Sequence, residues 1–157
     1  MANTYTQLYI HFVFAVKGRQ SLIPKRHKSE LHKYITGTIT NKKQTVIQIN
    51  SMPDHIHILV GMAPDLAVSK LVGIIKANSS KFINSKQWVA GRFEWQAGFG
   101  AFSYSQSHVD EVAAYIRGQE KHHERRTFQE EYLAFLKLFK VDYDERYIFD
   151  TSALNSP

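Results

Sequence analysis

The sequence predicts an α+β domain: a split βαβ, ferredoxin-like antiparallel sheet with helices on one face and an additional C-terminal tyrosine-bearing helix. Three observations predict it. Residues 4–16 and 55–62 alternate apolar and polar side chains as strands with one core face do. Apolar stripes at helical spacing follow each of those strands. Between residues 45–50 and 55–62 stands Met52-Pro53-Asp54, a turn that makes the two a hairpin. The resulting order, β-α-β-β-α-β and then helices, puts strands one and three side by side in the sheet centre.

Each element follows from its pattern. From Thr4 to Val16, Thr6, Leu8, Ile10, Phe12 and Phe14 share one side, with Tyr5, Gln7, Tyr9 and His11 on the other. Pro24 opens a helix to about Asn41 that turns Leu31, Ile35, Thr38 and Ile39 inward and Lys25, Arg26, Lys28 and Lys33 outward. A second helix, Ala67 to about Ser85, carries Val68, Leu71, Val72, Ile75, Ser79, Phe82 and Ile83 on one stripe, decorated by Lys70, Lys76, Lys81 and Lys86. Arg92 to Ser105, aromatic and glycine-punctuated, reads as a fourth strand or strand pair, with Gly98 and Gly100 permitting a bulge or hinge. Ser107, three residues before Asp110, reads as the N-cap of a helix burying Val109, Val112, Ala113 and Ile116, with Tyr115 on its flank. A last helix, about Phe128 to Lys140, presents Phe128, Tyr132, Phe135, Leu136 and Phe139 to an apolar surface, and Val141 to Pro157 is expected to fray.

A chain of 157 residues with 43% hydrophobic content suits one domain. The first apolar stretch, Leu8 to Val16, lacks a basic leader and is far shorter than the ~20 residues that span a bilayer, so neither secretion nor membrane insertion is supported. With no cysteine, any metal must be held by nitrogen and oxygen, and a reducing, cytoplasmic location fits. The net charge of +6 is uneven: residues 1–107 carry +9 and residues 108–157 carry −3. A basic body suits a polyanion, through counterion release, as well as simple solubility.

The chemistry-bearing residues cluster in two motifs. His55 and His57, spaced i, i+2 on an apolar strand, share a face and offer two imidazoles on a rigid platform, either for a metal or for hydrogen bonds in a polar interface. Tyr115 and Gln119, at i, i+4 on a helix, stand roughly 5 to 6 Å apart, so a phenol and a third metal ligand arrive together. Two imidazoles and an amide oxygen leave a divalent ion most of its charge, which suits Mg or Mn with open positions, while imidazole also accepts Zn. Tyr115 alone is as consistent with amphipathic packing, because a phenol needs a nearby cation to act as a nucleophile at neutral pH. Asp54 fits either a turn or a second layer of support behind the histidines, and His11 either a packed strand residue or an orienting one. His122 and His123 read as solvated helix-end residues, and no general base is identifiable. Lys25, Arg26, Lys28, Lys33, Lys70, Lys76, Lys81 and Arg92 are candidate phosphate contacts, with Trp95 and Phe99 available to stack on unpaired bases.

These motifs resemble a known family. His55-Ile56-His57 matches the His-hydrophobic-His signature, and Tyr115 with Gln119 the tyrosine helix, of the single-tyrosine HUH transposases of IS200/IS605-type insertion sequences. The similarity runs from about Tyr5 to Gln119 and includes Trp95-Gln96-Ala97-Gly98-Phe99-Gly100-Ala101-Phe102-Ser103, which looks like the aromatic segment those proteins carry before the tyrosine helix. A related, domesticated group tied to repetitive palindromes usually shows Asn-Pro where this chain has Gln119-Glu120, which favours the mobile-element branch.

The resemblance implies a catalytic domain over residues 1–127, with residues 128–157 a helix and tail packed on it. It further implies a homodimer in which the tyrosine helix of one subunit completes the metal site of the other. Family members bind hairpins in single-stranded DNA, cleave beside them through a 5′-phosphotyrosine intermediate, and rejoin strands. Tyr115 would then be the nucleophile, with His55, His57 and Gln119 holding Mg or Mn. Two alternatives remain: a palindrome-binding protein without turnover, and a phosphodiesterase that uses water on the same metal platform.

Overall fold

The computed structural model describes residues 3–18 and 22–149 of the 157. Its sheet contains β1 (Tyr9–Ala15), β2 (Thr45–Met52), β3 (His55–Gly61) and β4 (Gly100–Tyr104), in spatial order β2-β3-β1-β4 with every neighbouring pair antiparallel. Helices α1 (Lys28–Asn41) and α2 (Val68–Lys86) make the two crossovers, and α3 (Val109–Arg117), α4 (Gln119–His122), α5 (Phe128–Leu138) and α6 (Glu145–Ile148) follow β4. This is the ferredoxin-like α+β arrangement, with β3 splitting the β1-α1-β2 unit.

Alternation divides the sheet into two chemically different faces. Phe12, Phe14, Ile56, Ile58 and Val60 pack against Leu31, Ile35 and Ile39 of α1 and Leu71, Val72, Ile75 and Ile83 of α2. On the other face, Leu59 meets Val109, Val112, Ala113 and Ile116 of α3, while Val13 and Phe102 meet Phe135 and Leu136 of α5. Between those two apolar clusters the sheet presents His11, Asn50, His55 and His57, all buried. The register explains their grouping, since His57 stands opposite Val13 on β1 and Asn50 on β2.

Several elements differ from their sequence patterns. β1 begins at Tyr9 rather than Thr4, and Tyr5 is 91% exposed, so alternation there lacks a sheet partner. In the Arg92 to Ser105 stretch only Gly100–Tyr104 forms a strand, with Trp95 making an isolated bridge to Val16. The remainder is held by Asn84 of α2, whose side chain accepts from Phe93 N at 2.7 Å and donates to Phe93 O at 3.0 Å. The strand irregularity lies in β2, between Val46 and Gln48, rather than at Gly98 or Gly100.

Ser107 does not cap α3. It sits inside a 3₁₀ turn, Gln106–His108, where Ser105, Ser107 and His108 hydrogen-bond among themselves, and Asp110 and Glu111 supply the negative charge favoured in a first turn. The helix that does carry a side-chain box is α5: Thr127 accepts from Glu130 N at 3.2 Å, and the Glu130 carboxylate accepts from Thr127 N at 3.3 Å. Among the described residues no helix is long and apolar enough to cross a membrane. The expected fraying of the tail concerns mostly 150–157, which lie outside the described residues.

Candidate metal centre and tyrosine

His55 and His57 project from β3 into the seam between α3 and α5. His55 Nδ1 donates to Asp54 Oδ1 at 2.6 Å, which turns its Nε2 inward, 3.2 Å from Gln119 Oε1. His57 Nδ1 lies 2.8 Å from His11 Nε2, so these two rings share one proton and His57 Nε2 also faces inward, 2.9 Å from Glu131 Oε1. Asp54 and His11 therefore stand behind the imidazoles and orient them, as partners of metal-bound histidines do.

Two residues not expected in the site, His123 and Glu131, complete the cluster. His123, one residue past α4, brings Nε2 to 3.0 Å from Gln119 Oε1 and 3.2 Å from Glu131 Oε1. It is not a solvated helix-end residue, because α5 folds over it and leaves its side chain 9% exposed. Glu131 is 1% exposed on α5, on the same stripe as Phe128 and Phe135. One atom from each of His55, His57, His123 and Glu131 falls within 4.8 Å of the others, all nitrogen or oxygen donors, and this cluster can hold a metal ion.

Tyr115 reaches the same carboxylate from α3. Its hydroxyl donates to Glu131 Oε2, and its ring stacks on His122 at 4.5 Å. Tyr115 and Gln119 do not share one continuous helix: α3 ends at Arg117 and α4 starts at Gln119, on either side of Gly118. At that junction Asn50 of β2 donates Nδ2 to the carbonyls of Ile116 (2.8 Å) and Arg117 (3.2 Å). Gln119 still turns inward, fully buried, donating Nε2 to Glu131 Oε2 at 3.0 Å.

Burial and charge set the protonation of the group. Burial pushes the His57 pKa down to about 4. Burial also opposes protonation of His55, yet Asp54 and Glu131 outweigh it and hold its pKa above the usual imidazole value. For Glu131, burial is overcome by hydrogen bonds from His123, His55 and His57, which keep it ionised far below the carboxylate range. Burial, then the adjoining Glu131, raises the Tyr115 phenol.

The model of the IS200-like transposases matches residues 4–119. The chain belongs to that family. Among individual relatives of this IS200-like transposase, the ISDra2 transposase TnpA of Deinococcus radiodurans is 23% identical over 118 residues, covering 72% of this chain and 84% of its own. Two solved structures share the fold: a Deinococcus radiodurans R1 crystal structure described as a transposase (TM-score 0.59, 20% identity, 76% of this chain and 95% of that one), and a REP-associated tyrosine transposase bound to a REP hairpin (TM-score 0.59, 15% identity, 78% and 73%). His123 and Glu131 lie beyond the matched residues 4–119 of the IS200-like pattern.

The basic candidates separate into two groups. Lys25, Arg26, Lys28 and Lys33 line one open groove of about 1310 Å³ between α1, β2 and the α3–α4 junction, together with Arg117 and Lys121. Lys70 and Lys81 are exposed on α2, away from that groove. Lys76 donates to the carbonyls of Gln96 (2.9 Å) and Gly98, and Arg92 stands 3.6 Å from Glu94. Trp95 offers no stacking face: it is 8% exposed, edged by Phe14 and Phe93, and its indole donates to Ser79 at 2.8 Å. Phe99 is 36% exposed.

Proposed function

We propose that this IS200-like transposase binds hairpins in single-stranded DNA and cleaves and rejoins strands through a 5′-phosphotyrosine formed on Tyr115. The observation that carries the reading is the meeting of the Tyr115 hydroxyl and the paired imidazoles on one carboxylate within one chain. His55, His57 and Gln119 are the residues we assign to a divalent ion, Mg or Mn, whose positive charge when bound polarises the scissile phosphate.

Tyr115 forms the new phosphorus–oxygen bond while the bond to the 3′ oxygen breaks, and the proton given up by the phenol balances the one gained by the freed 3′-OH. Glu131 holds the hydroxyl beside the imidazoles and fixes its direction of approach. One diester replaces another, so a second 3′-OH can reverse the step on a new strand without an energy source. A cavity of about 690 Å³ lined by Asp54, His123, Arg125 and Arg126 borders the cluster, and we assign it to the entering phosphate. Phe128 lines the same cavity and stacks on the His55 ring at 4.4 Å. The groove of Lys25, Arg26, Lys28, Lys33, Arg117 and Lys121 suits the hairpin backbone.

We propose that this chemistry is completed within one chain, where the Tyr115 hydroxyl and His57 meet on Glu131. Homodimerisation, where it occurs, serves to hold two DNA ends.

The decisive experiment incubates the protein with a labelled, hairpin-bearing single strand and Mn or Mg, denatures it, and looks for label on the polypeptide. The intact chain should carry label, and Tyr115→Phe should bind the hairpin yet carry none. Label retained by Tyr115→Phe, or cleavage without any adduct, would overturn the assignment, the latter in favour of water as nucleophile.

A further inference from the structure

We infer that the cavity between the segment 96–99, α5 and α6 is a pocket for one unpaired base of the strand being cleaved, with Phe99 as its stacking platform. This rests on the single-strand reading above. It goes beyond that reading by naming where a base near the scissile phosphate is held, and by what kind of contact.

The cavity measures about 260 Å³ and is walled largely by rings: Phe99, Phe128, Tyr132, Tyr143 and Tyr147. It adjoins the chemistry. Ala15, Gln96 and Phe128 line both this cavity and the one assigned to the entering phosphate. A nucleotide whose phosphate enters one cavity can therefore place a neighbouring base in the other.

Phe99 is held out by a fastened segment. The Trp95 indole donates to Ser79 at 2.8 Å, and Gln96 N donates to the Ala15 carbonyl at 2.8 Å. Lys76 Nζ donates to the carbonyls of Gln96, at 2.9 Å, and Gly98. Gly98, at φ +87°, turns the chain just before Phe99, and β4 begins just after it, at Gly100. A ring kept 36% exposed on so anchored a backbone is a preorganised surface for another ring.

The walls select the occupant. No charged side chain among the described residues lines the cavity, so a phosphate is a poor fit, whereas aromatic faces attract the planar π system that every base carries. Gln96 Nε2 is spent on the Ile148 carbonyl at 2.9 Å, which leaves few groups to meet a base edge. The pocket therefore holds a base by its face and reads its identity weakly.

The test walks an abasic site through the unpaired nucleotides beside the scissile phosphate of a hairpin-bearing strand and measures the rate of protein labelling with Mn²⁺. At one position, loss of the base should slow labelling about fivefold to a hundredfold, and exchange for another base less than about threefold. Phe99→Ala, with folding verified by far-UV circular dichroism, should be slower on the intact strand by a similar factor and indifferent to the abasic site. Tyr5→Ala, at an exposed ring outside the cavity, should behave as the unaltered chain. 2-Aminopurine at the sensitive position should be quenched on binding to the unaltered protein and not to Phe99→Ala, a readout independent of cleavage. The pocket is overturned if no abasic position matters, if exchange costs as much as loss, or if the sensitivity persists in Phe99→Ala. In each of those cases labelling continues and the single-strand reading stands. If the unaltered chain takes no label, both fall.

Discussion

Asn50 of β2 donates its side-chain amide to the carbonyl of Ile116 at 2.8 Å, so the end of the tyrosine helix is fastened to the sheet that carries the histidines. Its oxygen is used too, accepting from Ser51 N at 2.9 Å. Asn50→Leu leaves the Ile116 carbonyl without this partner in the interior and should cost about 1–3 kcal/mol, measured by urea unfolding. Adduct formation should fall further than hairpin binding, because Tyr115 sits one residue from the anchored carbonyl. Equal losses in both would mean that Asn50 serves stability alone.

Glu120 lines the basic groove and stands 3.6 Å from Lys25 and 3.1 Å from Lys28. It offsets charge where the DNA backbone is proposed to lie. Glu120→Gln should strengthen hairpin binding at low salt, whereas Lys28→Ala or Arg117→Ala should weaken it and reduce the salt slope by roughly 0.7 to 0.9 for each phosphate no longer neutralised. Lys81→Ala, on α2, should change neither. Filter binding across a salt series separates the groove from the rest of the basic surface.

His32 of α1 faces β2 with Nε2 2.8 Å from Ser51 Oγ, and burial, then the charge of Lys28, brings its pKa down to about 4. Between that value and the unfolded value of 6.5 the unfolded chain binds the proton more readily. Stability from this group is therefore complete above pH ~6.5 and is lost as pH falls toward ~4. Urea midpoints compared at about pH 7.5 and about pH 5 should drop more for the unaltered protein than for His32→Gln. A similar drop in both would remove His32 as a source of acid sensitivity.

At Gly100 a methyl group would lie 2.9 Å from the Tyr132 ring and 3.0 Å from the Phe102 ring. The crowding falls on α5, next to Glu131. Gly100→Ala should destabilise by about 1–3 kcal/mol and also lower metal affinity, since Tyr132 must move. Pairing it with Tyr132→Leu should recover part of both losses. Calorimetry and a Mn²⁺ titration would report them independently.

Metal removal should show in stability. The paired imidazoles proposed as ligands favour Mn or Zn over Mg, which prefers oxygen. Chelation should lower Tm, and Mn²⁺ or Zn²⁺ should restore it at concentrations where Mg²⁺ does little. Equal restoration by Mg²⁺ would mean that the imidazoles do not select the ion.

The sheet and its histidine face were legible in the sequence because alternation is a local signal: once residues 55–60 form a strand, His55 and His57 share a side. Val109, Val112, Ala113 and Ile116 identified the buried side of the tyrosine helix for the same reason. Glu131 was not legible, since one acid among the aromatic positions of a helix normally faces water, and its burial depends on α5 crossing the sheet. The signal was present only as position, for Glu131 occupies the i+3 place between Phe128 and Phe135 on a stripe otherwise apolar. His123 was hidden likewise by packing that only the α4–α5 turn creates. Trp95 misled in the other direction, because an aromatic residue near glycines is equally suited to a base and to a core, and Ser79 on α2 decided between them.

The α3 helix lies on its own chain's sheet, with Tyr115, His55, His57 and Glu131 all supplied by one polypeptide. Rate per molecule should consequently be indifferent to dilution, and a mixture of Tyr115→Phe and His57→Ala proteins should not regain what each has lost.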